Sequence, residues 1–141
     1  MTSSPTIRPI QTPDQSAVIA LWDQVFPGEA AWNDPVDVIA RKLQVQPELF
    51  FVAVSDDTVI GTVMAGFDGV RGWVHHLAVH PNHRREGIAT ELMKRAEAGL
   101  KSAGCPKLNL QVRSTNLGVI KFYQSLGFYV EERANLGKPL I

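Results

Sequence analysis

Leu77-Ala78-Val79-His80-Pro81-Asn82-His83-Arg84-Arg85-Glu86-Gly87-Ile88-Ala89 decides how the rest of the chain is read. An apolar strand ends at Pro81, a short polar turn follows, and a helix begins near Gly87. The first N–H groups of any helix lack partners within it, and the helix dipole makes that end positive. Such a turn suits an anion, above all a phosphate. Arg84 and Arg85 add charge beside it, while Gly87 and Ala89 keep the backbone accessible.

Outward from this stretch, bulk properties set limits. The chain has 141 residues, 45% of them hydrophobic, and its 14 basic and 14 acidic side chains cancel. That describes one ordinary domain with a core, expected over residues 6–141 behind a disordered tail of residues 1–5. Zero net charge gives no global reason to expect nucleic acid or a membrane surface as partner. The His83-Arg84-Arg85 cluster is short and has Glu86 beside it, so no nucleic-acid patch is read there. Cys105 is the sole cysteine, which rules out an internal disulfide and fits a reducing compartment. No signal peptide is read in residues 1–6, and no apolar run approaches the roughly 20 residues of a membrane span. A cytoplasmic protein is expected.

The remaining elements follow in order. Thr6–Ile10 makes a short strand. Thr12-Pro13-Asp14 starts a helix, with Thr12 as cap and Pro13 at its first position. Val18, Leu21, Trp22 and Val25 then recur at helical spacing, and Pro27-Gly28 ends it. Asn33-Asp34-Pro35 opens a second helix, with Val36, Ile39, Ala40 and Leu43 on one side. Leu49–Val54 and Val59–Gly66 read as a hairpin around Ser55-Asp56-Asp57-Thr58, and Trp73–Val79 is a third consecutive strand. After the turn, Ile88, Leu92, Met93, Ala96 and Leu100 mark a helix that Gly104 caps. Leu108, Leu110 and Val112 alternate with polar residues as in a strand. Asn116 begins a fourth helix through Val119, Ile120, Tyr123 and Leu126, closed by Gly127. Phe128–Glu132 and Lys138–Ile141 are read as final strands. The pattern is an α/β, or α+β, sheet domain with a largely antiparallel first half.

Two motifs in this order resemble those of the GCN5-related N-acetyltransferases, the GNAT superfamily. The first is Arg84-Arg85-Glu86-Gly87-Ile88-Ala89 after Leu77-Ala78-Val79. The second is Asn116 followed by Phe122-Tyr123-Gln124-Ser125-Leu126-Gly127-Phe128. The likeness spans about residues 6–141. Trp32-Asn33-Asp34-Pro35, Gly104-Cys105-Pro106-Lys107 and Leu136-Gly137-Lys138 are similar to small single-domain bacterial members. The resemblance implies a mixed, twisted sheet of six to seven strands flanked by four helices. Strands four and five, Trp73–Val79 and Lys107–Arg113, would splay to admit the pantetheine arm of acetyl-CoA. The expected activity is transfer of an acetyl group from acetyl-CoA to a primary amine by direct attack. The acceptor is unspecified, and a small molecule or peptide would serve. The family often dimerises, which leaves the oligomeric state open. A non-catalytic acyl-CoA-binding module on the same fold, or use of a longer acyl-CoA, remains an alternative.

The same resemblance assigns roles. The N–H groups from Arg85 to Thr90, through Glu86, Gly87, Ile88 and Ala89, would take the cofactor's pyrophosphate. Leu77 and Val79, flanking Ala78, would turn backbone N–H groups to the thioester oxygen or pantetheine amides. Asn116 would bond the pantetheine arm, or serve only as a helix cap, and Phe122 would line the arm. Tyr123 would be the general acid for the departing thiolate, although its place on an apolar helix side equally fits a core tyrosine. Amine activation needs a base, because an amine is mostly protonated at neutral pH. His75 is the candidate, two residues before Leu77 and so on its face of an unbroken strand. His76 would then point to the other face. Many relatives carry a Glu on this strand. With none between Trp73 and His80, two alternatives to His75 stay open: Glu29, Asp34 or Asp68 acting through water, or no base at all. No metal is expected, since the four histidines lack helical pairing or a cysteine partner. Trp22 reads as core, Cys105 as a packed thiol, and Trp32 as a loop residue placed to shape an acceptor pocket.

Overall fold

β2 (Phe50–Ser55) is buried from Phe50 to Ala53, and β3 (Thr58–Phe67) from Val59 to Ala65. Burial on both faces explains their continuous apolar sequence. Ser55 pairs with Thr58 across Asp56-Asp57, both left-handed at φ 49° and 61°. This two-residue connection matches the strand twist, and short acidic side chains tolerate the conformation. β1 (Thr6–Pro9), β4 (Gly72–Val79) and β5 (Leu108–Leu110) complete a five-stranded sheet in the order β1-β2-β3-β4-β5. All pairs are antiparallel except β4–β5, which is parallel. The computed structural model describes residues 4–141, so the expected tail lies partly outside the described residues.

α1 (Gln15–Val25) and α2 (Pro35–Lys42) cover one face of the sheet. Val18, Leu21, Trp22, Val38 and Ile39 pack with Phe50, Val52, Met64 and Ala78 in one apolar cluster. Trp22 lies flat on Phe50, ring centroids 5.8 Å apart. The chain enters α1 through a 3-10 turn, Thr12–Asp14, capped one residue earlier than expected: Gln11 N–H donates to Asp14 Oδ2 at 2.7 Å. Asp14 also accepts two bonds from the Arg8 guanidinium, at 2.7 and 3.0 Å, tying β1 to the helix start. In α2, Asp34 caps by accepting from Val36 N–H and Pro35 takes the first position. The buried side differs from the expectation. Val38 and Ile39 face the core, while Val36 is 59% exposed, because an eight-residue helix offers too few turns to fix its rotation from spacing alone.

α3 (Ile88–Ser102) covers the other face through Ile88, Leu92, Met93, Ala96 and Leu100, all buried. A side chain at Gly61 would stand 3.0 Å from Leu92 Cδ1, so this glycine sets how closely α3 approaches β3. Leu92 has no exposed surface, and truncating it to Ala would cost about 2–5 kcal/mol. Gly104, at φ 85°, ends the helix. Its N–H donates to Lys101 O and that of Cys105 to Leu100 O, both at 3.0 Å, the paired bonds of a Schellman stop.

The chain divides into two compact units, the first ending at Leu110 and the second spanning Gln111–Ile141. The second holds α4 (Leu117–Ser125). The expected strands Phe128–Glu132 and Lys138–Ile141 are irregular chain, so the sheet has five strands rather than six or seven. Strand-forming residues alone do not make a strand; a ladder does. Arg133 N–H closes a turn onto Glu131 O, and Gly137 and Pro139 interrupt the last segment. Val112 likewise falls outside β5.

Candidate active site

The feature that arranges β4 is a bulge. Thr62 pairs with Ala78 and Met64 with His75, so Val63 faces two residues, His76 and Leu77. His76 sits at φ 52°, a strained backbone for a non-glycine residue. Thr62, with no exposed surface, holds the bulge in place: its hydroxyl accepts from Trp22 Nε1 and donates to His76 O, both at 2.9 Å.

The extra residue reverses two expectations. His76 does not point away from His75. Its ring lies 4.3 Å from that of Trp22 and edge-on to Phe26 at 5.3 Å, within the α1 layer. His75 lines a pocket on that same side with Lys42 and Met64. Ala78 packs in the α1–α2 cluster, so alternation places Leu77 and Val79 on the opposite face from His75. His75 keeps solvent access, but surrounding atoms crowd its ring. That crowding first, and Lys42 second, hold its pKa below the ordinary histidine value, which keeps the imidazole neutral near pH 7. His76 is lowered by burial and by His75, against an opposing pull from Glu29, and its Nδ1 is buried without a hydrogen-bond partner among the described residues.

The β4–β5 ladder covers only Gly72 to Val74, paired with Leu108 to Leu110. From His75 to Val79, no strand of the first unit joins that edge of β4. The strand then runs through the 3-10 turn Pro81–His83 into Arg84-Arg85-Glu86-Gly87. Arg85 at φ 65° and Gly87 at φ 78° are both left-handed, which turns the chain sharply into α3. Gly87 caps that helix with no side-chain bond, so the first donors of a 15-residue helix, at Ile88, Ala89 and Thr90, have no capping side chain. Arg84, Arg85 and Glu86 are exposed around it. Glu86 reaches back to His83 Nδ1 at 3.4 Å, and Arg84 Nε lies a long 3.4 Å from Val79 O.

In the second unit Asn116 caps α4, its side chain accepting from Val119 N–H at 3.3 Å. Tyr123 is 8% exposed, with ring contacts to Phe122 and Phe128. Burial pushes its phenol up to about 12.

Other candidates hold local positions. Asp34 caps α2, and Asp68 Oδ1 accepts from Val70 and Arg71 N–H, both at 2.8 Å. Glu29 takes a bond from Asn33 at 3.2 Å. Trp32 is 49% exposed in a 3-10 turn, with Arg41 donating to its carbonyl. Cys105 Sγ lies 3.3 Å from Lys107 O. The sequence reading missed Lys42 and Gln46. Lys42 Nζ donates to Ala65 O at 2.6 Å, and the Gln46 amide pairs with both N–H and O of Phe67 at 2.8 and 3.1 Å. Nothing in the local sequence announces these reaches from α2 and its exit onto β3.

The chain is similar to known proteins in sequence and in fold. The family model described as Acetyltransferase (GNAT) family matches residues 15–128. An acetyltransferase of Yersinia pestis (strain Pestoides F) is 45% identical over 138 residues, covering 96% of this chain and 95% of that protein. One of Pectobacterium atrosepticum is 44% identical over the same length, with the same shares. Among solved structures, the aminoglycoside N-acetyltransferase AAC(6')-Iy in complex with CoA superposes with a TM-score of 0.82 at 20% identity, over 100% of this chain and 97% of that one. A chain of the NatC complex bound to Gag peptide and CoA reaches 0.79 at 22% identity, over 93% and 88%. At these identities the two structures show a shared fold. The family model and these relatives lead to one conclusion: the chain belongs to the acetyltransferase (GNAT) family and is an acyltransferase.

Proposed function

We propose that the enzyme is an acetyl-CoA-dependent N-acetyltransferase that joins acetyl-CoA and a primary amine in a ternary complex. The observation that carries this reading is the bulge at His76. It presents a neutral imidazole, His75, to a pocket while the same strand leads into an uncapped helix start. The cofactor fits the residues present. Its pyrophosphate would lie on the N–H groups from Arg85 to Thr90, screened by Arg84 and Arg85, and its amide-bearing arm along the β4 edge that β5 leaves unjoined.

The acceptor arrives as an ammonium ion, and His75 takes a proton from it. The free amine nitrogen attacks the thioester carbonyl carbon, and backbone N–H groups at Leu77 and Val79 stabilise the oxyanion. One such donor is typically worth ~3 kcal/mol. The C–S bond then breaks, leaving an amide and a thiolate. On the family resemblance, Tyr123 protonates the sulfur and Asn116 and Phe122 attend the pantetheine arm. A phenol near 12 stays protonated at neutral pH, so the proton is always in store. Giving it to a fully formed thiolate, whose thiol has a pKa of ~8.5, would be uphill by roughly 5 kcal/mol. Transfer therefore accompanies C–S cleavage. The single cysteine supports a reducing, cytoplasmic setting.

The test is calorimetry with acetyl-CoA, then thiol release with a panel of amines across pH. Binding with turnover is expected, with an acidic limb in kcat/KM below the ordinary histidine pKa of ~6.5. His75→Ala should erase that limb. Tight binding with no turnover on any amine would instead favour a non-catalytic module. Faster reaction with a longer acyl-CoA would change the donor.

A further inference from the structure

We infer that the acceptor is a small amine bearing a carboxylate, held by Lys42 in the pocket that His75 shares; this rests on the N-acetyltransferase reading above. The pocket, about 230 Å³, is lined by Lys42, Gln46, Met64, Asp68, Trp73 and His75 among others. It lies wholly in the first unit, where α2 meets the outer ends of β3 and β4.

Lys42 is a partly buried ammonium with three donors, one of which goes to Ala65 O at 2.6 Å. No carboxylate lies within ion-pair distance of it among the described residues, and Glu48 acts on it only as a charge further off. The one carboxylate lining the pocket, Asp68, is exposed and accepts two N–H bonds of its own turn. The Gln46 amide is taken up by Phe67. Among the described lining residues, Lys42 is thus the cation with donors left to give. Gly66 keeps space beside it, since a Cβ there would stand 3.6 Å from Nζ. Val45, Met64 and Trp73 line the same pocket and suit an apolar body. A carboxylate paired with Lys42 would point the amine of the same small molecule toward His75. A polycation would meet the ammonium with like charge, opposed only by Asp68 among the described lining residues, an exposed carboxylate whose Oδ1 already serves its own turn.

The test uses the full-length enzyme with apolar α-, β- and ω-amino acids, the carboxamide of each, and a polycationic aminoglycoside. Acetyl-CoA affinity is measured by calorimetry in parallel. The carboxylates should exceed their matched amides by about tenfold or more in kcat/KM, as expected for a charge-assisted bond. K42M should erase that preference through KM, K42R should retain it, and acetyl-CoA affinity should stay constant throughout. Should K42M fail to fold by circular dichroism, G66V fills the space beside Nζ and should raise KM for the carboxylates alone. Equal rates for amides, a preference that survives in K42M, or acetyl-CoA binding without turnover of any carboxylate would each overturn the inference. Absence of acetyl-CoA binding in the wild type would overturn the underlying enzyme reading instead.

Discussion

Thr62→Val tests whether one hydroxyl sets the geometry of β4. Valine matches threonine in shape, so packing is kept and only hydrogen bonding is lost. Thr62 has no exposed surface, and its hydroxyl serves Trp22 Nε1 and His76 O at once. Each group left buried without a partner costs about 1–3 kcal/mol. Trp22 is 1% exposed, so its N–H has no ready access to water, and the His76 carbonyl belongs to a bulge already strained at φ 52°. Together they predict a loss of roughly 2–6 kcal/mol, a large part of an ordinary domain's stability. The assay is urea unfolding, where the midpoint should fall at unchanged slope. Thr62→Ser is the control. It keeps the hydroxyl and loses a methyl, about 1 kcal/mol. The bulge should also relax, moving His75 away from its pocket and lowering kcat/KM in the surviving folded protein. If Thr62→Val were as stable as the wild type, or no worse than Thr62→Ser, the hydroxyl would not be what holds the bulge.

Three other outcomes are expected. Gly87→Glu puts bulk and charge at a helix start whose surroundings are open but whose left-handed backbone strains any side chain by about 1–2 kcal/mol, a cost an ordinary domain survives, while acetyl-CoA affinity should drop below detection in calorimetry; unchanged affinity in the folded variant would remove the turn as the pyrophosphate site. Tyr123→Phe should lower kcat by ~10²-fold with little change in acetyl-CoA affinity, measured by thiol release and calorimetry. Asp14→Asn should cost about 1.5–3 kcal/mol at neutral pH, because the Asp14 carboxylate takes charged bonds from Arg8. Those bonds hold the folded Asp14 pKa below its unfolded value, so the contribution is complete above the unfolded pKa of ~3.9 and disappears as pH falls through the lower folded value. Parallel denaturation series at falling pH should therefore converge.

Most elements were legible because each carries its own signal. Gly104 announces a helix stop and Asp56-Asp57 a hairpin, and both need only local backbone preferences. The strand-turn-helix run from Leu77 to Ala89 was legible for the same reason. The bulge was not. His75-His76 looks like any strand pair, and the residue that shifts the register, Thr62, is 14 positions away and itself bonded to Trp22, 40 positions away. Period-two reasoning therefore put His75 with Leu77 and His76 opposite, and both placements reversed. Lys42 escaped notice because a lysine ending an amphipathic helix ordinarily points to water. The final strands were overread because Phe128-Tyr129-Val130 has the composition of a strand, whereas pairing depends on neighbours that composition does not name.

The reach of α2 and its exit onto β3 bears on self-association as well as on the pocket. β2 pairs with β3 only as far as Phe50 opposite Met64, so Ala65 to Phe67 overhang their neighbour. An overhang of this kind is a template on which another chain can add a strand. Lys42 takes the Ala65 carbonyl and Gln46 takes both backbone groups of Phe67, so side chains stand in for the missing strand. The left-handed backbone of Gln46, φ 51°, swings its amide into that position. Sealing the edge with side chains rather than with a longer β2 leaves room for a cavity, so one short run of chain keeps the sheet from growing while holding its mouth open.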